Sequence, residues 1–168
     1  MTTASRDAGA EALRLPRAPF FELGVKNYLF GDDVLDLARC ADELAARHDI
    51  DLLMAVPYAD IRRVADGTDR LIVLAPHMDL LRPGRGLADV LPESIRAAGA
   101  GGVMINHSER PMPISQVRAT ICRARELHML AFVCADSIVE AVALAHFGPD
   151  IINPEPAEFI GSGAGAGI

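Results

Sequence analysis

Three polar residues, far apart along the chain, stand just beyond short apolar runs: Lys26 after residues 20–25, His107 after 103–105 and Glu155 after 150–152. His107 belongs to Asn106-His107-Ser108-Glu109-Arg110, five polar residues that no buried strand would tolerate. An ammonium, an imidazole and a carboxylate are a set suited to removing a proton from the carbon beside a carbonyl. The carboxylate takes the proton, the imidazole polarises the oxygen, and the ammonium attracts an anionic substrate and the charge that develops on it. The bland alternative is three strand-to-helix turns with ordinary capping chemistry. Everything depends on whether the elements between them bring the three groups to one rim.

Other constellations are weaker. Ser108 beside His107 is a neighbour in sequence, which does not make a nucleophile–base pair without geometry. His77 and Asp79 lack a third ligand, so no metal site is expected. Arg62-Arg63 and Arg123 with Arg125 read as solvated helix faces. Lys26 is the only lysine in a chain with 15 arginines. A compact, tunable point charge on a flexible stem does something there that a broad planar fork does not.

The chain alternates strand and helix signals. Strands are expected at 20–25, 50–56, 71–75, 103–105, 129–134 and 150–152. Helices are expected from a cap at Asp32 or Asp33, at about 59–65, from Pro92 to about Ala98, at about 114–127, and from Asp136 or Ser137 to Phe147. Residues 76–91, with Pro83-Gly84-Arg85-Gly86, make a long loop of the kind that is usually functional. Strands joined through helices run parallel with right-handed crossovers, which leaves a doubly wound sheet or part of a (β/α)8 barrel. In either, ligands sit at the C-terminal ends of the strands. The first strand-to-helix turn, residues 26–31, lacks the glycine-rich dinucleotide fingerprint.

Composition bounds the rest. With 168 residues and 51% hydrophobic content, one domain with a packed core is feasible. Residues 1–18 show no periodicity and read as a flexible leader, and 19–168 as a single domain. A net charge of −7 argues against nucleic-acid binding, and no apolar run is long enough for a membrane span. Cys40, Cys122 and Cys134, odd in number and without metal or redox spacing, suit a reducing cytoplasm.

Residues 106–110 resemble the signature around the electrophilic histidine of the triosephosphate isomerase family. Residues 155–163 are similar to that family's catalytic glutamate and the mobile loop after it, in the form of the archaeal-type members. Gly24-Val25-Lys26 falls where the family has Asn-X-Lys, and Cys134 where a cysteine commonly follows strand five. The resemblance covers about residues 20–163. It implies an incomplete TIM barrel of about six parallel strands, lacking the last two β/α units, with strands one and six as open edges. It also implies interconversion of glyceraldehyde 3-phosphate and dihydroxyacetone phosphate through an enediolate, with no cofactor, in a cytoplasmic homo-oligomer. Lys26, His107 and Glu155 would be catalytic, with Glu109 and Ser108 in support. Gly24, Lys26 and the backbone near Ile160 and Gly161 would meet the phosphorylated sugar, the last two within a closing lid.

Three departures stand beside it. Gly24 replaces a substrate-contacting Asn, Leu87-Ala88-Asp89 stands where many members have a Thr-Gly pair of the dimer contact, and Pro154 precedes the base. Two other readings stay open: a silent fragment or paralogue that pairs with another chain, and a Schiff-base lyase or related sugar-phosphate isomerase using Lys26.

Overall fold

In the computed structural model, whose described residues are 13–156, the apolar runs form strands and the amphipathic runs form helices. The order is β1 (Phe20–Gly24), α1 (Gly31–His48), β2 (Asp51–Ala55), a 3-10 turn (Tyr58–Asp60) leading into α2 (Ile61–Gly67), β3 (Ile72–Ala75), α3 (Pro92–Ala97), β4 (Gly102–Ile105), α4 (Ile114–Glu126), β5 (Leu130–Ala135), α5 (Ile138–Ala145) and β6 (Ile151–Pro154). All six strands are parallel and pair in sequence order, so β1 and β6 are the two ends of one curved sheet. This is a partial barrel.

Alternation along each strand divides the core in two. Val73, Val103, Ile105, Ala131 and Val133 face the helices, against Val34, Ala38, Val117 and Ile121. Leu53, Ala55, Ile72, Leu74, Met104, Leu130, Phe132 and Cys134 form the concave layer, joined by Phe20 of β1 and Ile151 of β6. With helices on one side and this layer on the other, every residue of β2 to β5 is buried. That explains why those strands read as continuous apolar runs rather than alternating ones. Since side chains alternate, Glu22 and Gly24 share the concave face with Phe20, and Glu155 continues the face of Ile151. Sheet parity thus aims residues from both edge strands at one space.

Register is held by carboxylates as well as by ladders. Asp42 of α1 accepts the backbone N–H groups of Asp69, Arg70 and Leu71 ahead of β3, at 3.1, 2.7 and 2.8 Å. Asp150 accepts from Ala131 N–H at 2.8 Å, fixing β6 against β5.

Several expectations are refined. Asp32 and Asp33 lie in the first turn of α1, where they offset the helix dipole, and no side chain caps Phe30. The Gly31 amide donates instead to Asp60 Oδ2 at 3.1 Å. Pro154 ends β6 rather than interrupting it. Glu155 N–H donates to Ala135 O at 2.8 Å, so the nitrogen of Pro154 faces away from β5, on the side where no strand among the described residues pairs with β6. Arg123 is no solvated residue: it is 6% exposed. It pairs with Glu93 and with Glu126, the latter at 3.0 Å, and reaches Leu81 O at 3.5 Å, tying the long loop to α3 and α4. Of the leader, residues 13–18 cross the foot of the sheet. There Leu13 packs on the concave layer, and Arg17 N–H donates to buried Asp51 at 2.7 Å. That bond, with the charges of Arg17 and Arg14, holds the Asp51 carboxyl below the usual carboxylate range.

Gly102 shows how tightly β4 is gripped. A Cβ there would lie 2.7 Å from Leu74 Cδ2 and 2.8 Å from the backbone oxygen of Leu130. The oxygen belongs to a strand and cannot swing away. Gly102→Ala is therefore expected to destabilise by about 2–3 kcal/mol, the range for overpacked cores, read as a lower urea midpoint with an unchanged m-value.

Candidate active site

At the C-terminal ends of the strands the loops enclose a cavity of about 460 Å³. Lys26, His107, Glu109, Glu155 and Gly24 all line it. The ammonium, the imidazole and the carboxylate therefore share one rim. Ser108, in the turn after His107, does not line the cavity. Ile160 and Gly161 lie outside the described residues.

Lys26 stands in a turn closed by Tyr28 N–H to Val25 O at 3.2 Å, with φ at 49°. A left-handed backbone is uncommon for a residue with a Cβ, and such positions gather at sites that need a side chain re-aimed. Here it lets Lys26 leave the strand and turn to the mouth, where Nζ lies 3.3 Å from Glu109 Oε2.

Asn106, also left-handed with φ at 62°, does the same for the histidine. Its buried carboxamide donates to Cys134 O at 3.2 Å and to Glu140 Oε1 at 3.1 Å, and accepts from Met112 N–H at 3.0 Å. The next residue, His107, is thus presented by a fully bonded neighbour. Its own Nδ1 accepts the backbone N–H of Glu109 at 3.1 Å. Only an unprotonated Nδ1 can accept that bond, which leaves the ring hydrogen on Nε2. Nε2 faces Glu155, with 3.8 Å between it and Oε2. The gap exceeds a hydrogen bond, so the two groups face one another at the cavity without being bonded.

Further polar residues line the cavity that were not singled out as site groups. Glu22 reaches it from the concave face of β1, and Tyr58, His77 and Arg110 from the loops after β2, β3 and β4. Burial and the charge of Glu155 push the Glu22 carboxyl up to about 7, against the pull of the Ala55 backbone N–H. Its signal in the sequence is faint: an acidic residue two before Gly24 and four before Lys26, inside a strand. His77 Nε2 lies 3.3 Å from Asp79 Oδ1, while Asp79 Oδ2 accepts from Val90 N–H at 2.7 Å. That brace closes the base of the long loop. Burial pushes the Tyr58 hydroxyl and the Cys134 thiol each up to about 12, so both stay neutral.

A curved parallel sheet with an ammonium, an imidazole and a carboxylate at its C-terminal rim defines a (β/α)-barrel chain with its site at the usual end. The sequence matches the family model for triosephosphate isomerase over residues 25–167. It is 36% identical over 155 residues to the triosephosphate isomerase of Methanothermobacter thermautotrophicus, covering 91% of this chain and 67% of that one. It is 35% identical over 151 residues to the enzyme of Methanobacterium bryantii, covering 89% and 66%. The crystal structure of the Bartonella henselae triosephosphate isomerase superposes with a TM-score of 0.62 at 22% identity, covering 76% of this chain and 55% of that one. The chain belongs to the triosephosphate isomerase family, and it spans about two thirds of the length of these archaeal relatives.

Proposed function

We propose that this chain interconverts a small phosphorylated aldose and ketose, glyceraldehyde 3-phosphate and dihydroxyacetone phosphate, through an enediolate. The observation that carries the reading is the cavity shared by Lys26, His107 and Glu155, with Nε2 of the imidazole facing the carboxylate. Glu155 takes the proton from the carbon beside the carbonyl. His107 donates its Nε2 proton to the carbonyl oxygen as charge gathers there, then takes the proton of the neighbouring hydroxyl back onto Nε2, so that the ring is restored as the new carbonyl forms. Glu155 then returns its proton to the neighbouring carbon, and the product leaves with the same atoms as the substrate. Lys26 supplies positive charge for the anionic substrate and enediolate. Its Nζ is held 3.3 Å from the Glu109 carboxylate at the rim.

The family resemblance supports a phosphate contact from the backbone near Ile160 and Gly161, a cytoplasmic setting and self-association. Apolar side chains left exposed at both ends of the sheet, Phe21 on β1 with Ile138, Val139 and Val142 on α5, are in keeping with the last. No helix among the described residues is long and apolar enough to cross a membrane.

The test is dihydroxyacetone phosphate incubated with the purified chain in D2O and followed by proton NMR. Deuterium entering the carbon beside the carbonyl, with appearance of glyceraldehyde 3-phosphate, is the expected outcome. Folded protein that produces neither overturns the proposal and leaves the silent-paralogue alternative.

A further inference from the structure

We propose that Glu22 is a substrate-binding residue of this cavity, its carboxyl donating a hydrogen bond to a substrate oxygen in the space that Gly24 leaves open. The inference rests on the isomerase reading above and names a contact that reading does not include. Glu22 lies on β1 with its side chain on the concave face, among the residues lining the cavity with Lys26, His107 and Glu155. Its Oε1 is buried and has no hydrogen-bond partner among the described residues. A buried carboxyl oxygen without a partner is unfavourable, and at the wall of a cavity the missing partner is a ligand atom or water.

Gly24 explains how the carboxyl gets there. A Cβ on Gly24 would lie 3.4 Å from Glu22 Oε1 and 3.6 Å from Oε2. The carboxyl thus lies against the bare Cα two residues on, and any side chain longer than a methyl would contest its place. Glu22 and Gly24 act as a pair: one gives up a side chain and the other fills the volume with an acid.

The acid must be neutral to donate. Burial and the charge of Glu155, which follows β6, favour the protonated form, and the Ala55 backbone N–H on β2 opposes it. Cys134 on β5 stays a neutral thiol. From the loops, Lys26 and Arg110 bring positive charge, Glu109 negative, and His107, His77 and Tyr58 complete the titratable groups around the same space. Once ionised, Glu22 would meet an anionic substrate with like charge and no donor hydrogen. Binding should therefore weaken as pH rises through about 7.

Glycerol 3-phosphate, which carries an alcohol in place of the reacting carbonyl and cannot turn over, is the probe. Its affinity is measured by calorimetry at about pH 6 and pH 8 for the wild type and for Glu22→Gln, with melting curves to establish folding. The amide keeps a donor and cannot ionise. The comparison between the two proteins removes the titration of the phosphate itself. Over that interval the wild-type affinity is expected to fall about tenfold further than that of Glu22→Gln, following the fraction of neutral acid. Parallel profiles in the two proteins overturn the role of Glu22 and leave the isomerase reading intact. If glycerol 3-phosphate binds to neither protein at either pH, both fall.

Discussion

On the proposed isomerase reading, Glu155→Gln is expected to lower the kcat of isomerisation by about 10³-fold, within the range for losing a positioned general base, while KM changes little. The amide matches the carboxylate in size, so the Nε2–H of His107 still faces it across 3.8 Å and the cavity keeps its shape. What is lost is the ability to hold a proton between its removal from one carbon and its return to the next. Glu155→Asp provides the internal comparison. The base survives, but its oxygens retreat by about one methylene, and a misplacement on the order of 1 Å costs about 10²-fold. The ordering Glu, then Asp, then Gln in kcat, with near-constant KM, is the signature of a base acting on carbon. Equal losses in both variants would mean that Glu155 only shapes the pocket.

Glu22→Gln is expected to stabilise the protein by about 3 kcal/mol at about pH 8 and hardly at all at about pH 4. In the folded chain the Glu22 carboxyl keeps its proton up to about 7, against 4.5 for an ordinary glutamate. Between those values the folded state binds more protons than the unfolded one, so stability falls as pH rises, and above about 7 the whole penalty is present. Glutamine has no proton to lose, and the variant escapes the penalty. Urea titrations of the two proteins at both pH values should give midpoints that nearly coincide in acid and separate in alkali. A constant difference across pH would show that burial does not raise this acid.

These two residues mark the boundary of what the amino-acid order reveals. Glu155 was legible because it follows an apolar run and opens a motif, and a rim residue of a parallel sheet needs only its own strand to be placed. Strands β2 to β5 were legible for a related reason, since burial on both faces makes each one an unbroken apolar run. Glu22 was not. An acid within a short edge strand looks like any residue turned to water. Its burial follows from curvature of the sheet and from Gly24 beside it, which strand periodicity does not record. Arg123 was misread in the same way, because its partners Glu93 and Leu81 come from other parts of the chain. Pro154 signalled a break, and only its hydrogen-bond side in the edge strand makes it harmless.

Glu140 links the thermal fraying of a surface helix to the aim of a ring more than thirty positions earlier. Its backbone N–H donates to Ser137 Oγ at 3.1 Å and its Oε2 accepts the Asp136 amide at 2.8 Å, a reciprocal clasp on the first turn of α5. Its other oxygen takes the carboxamide of Asn106 at 3.1 Å, the residue that presents His107. When that turn unwinds, Asn106 loses one of its three bonds at the same moment, and the support behind the imidazole is weakened by an event outside the cavity. Rigidity of the histidine is thus inherited from a helix that contributes no wall to the pocket it serves.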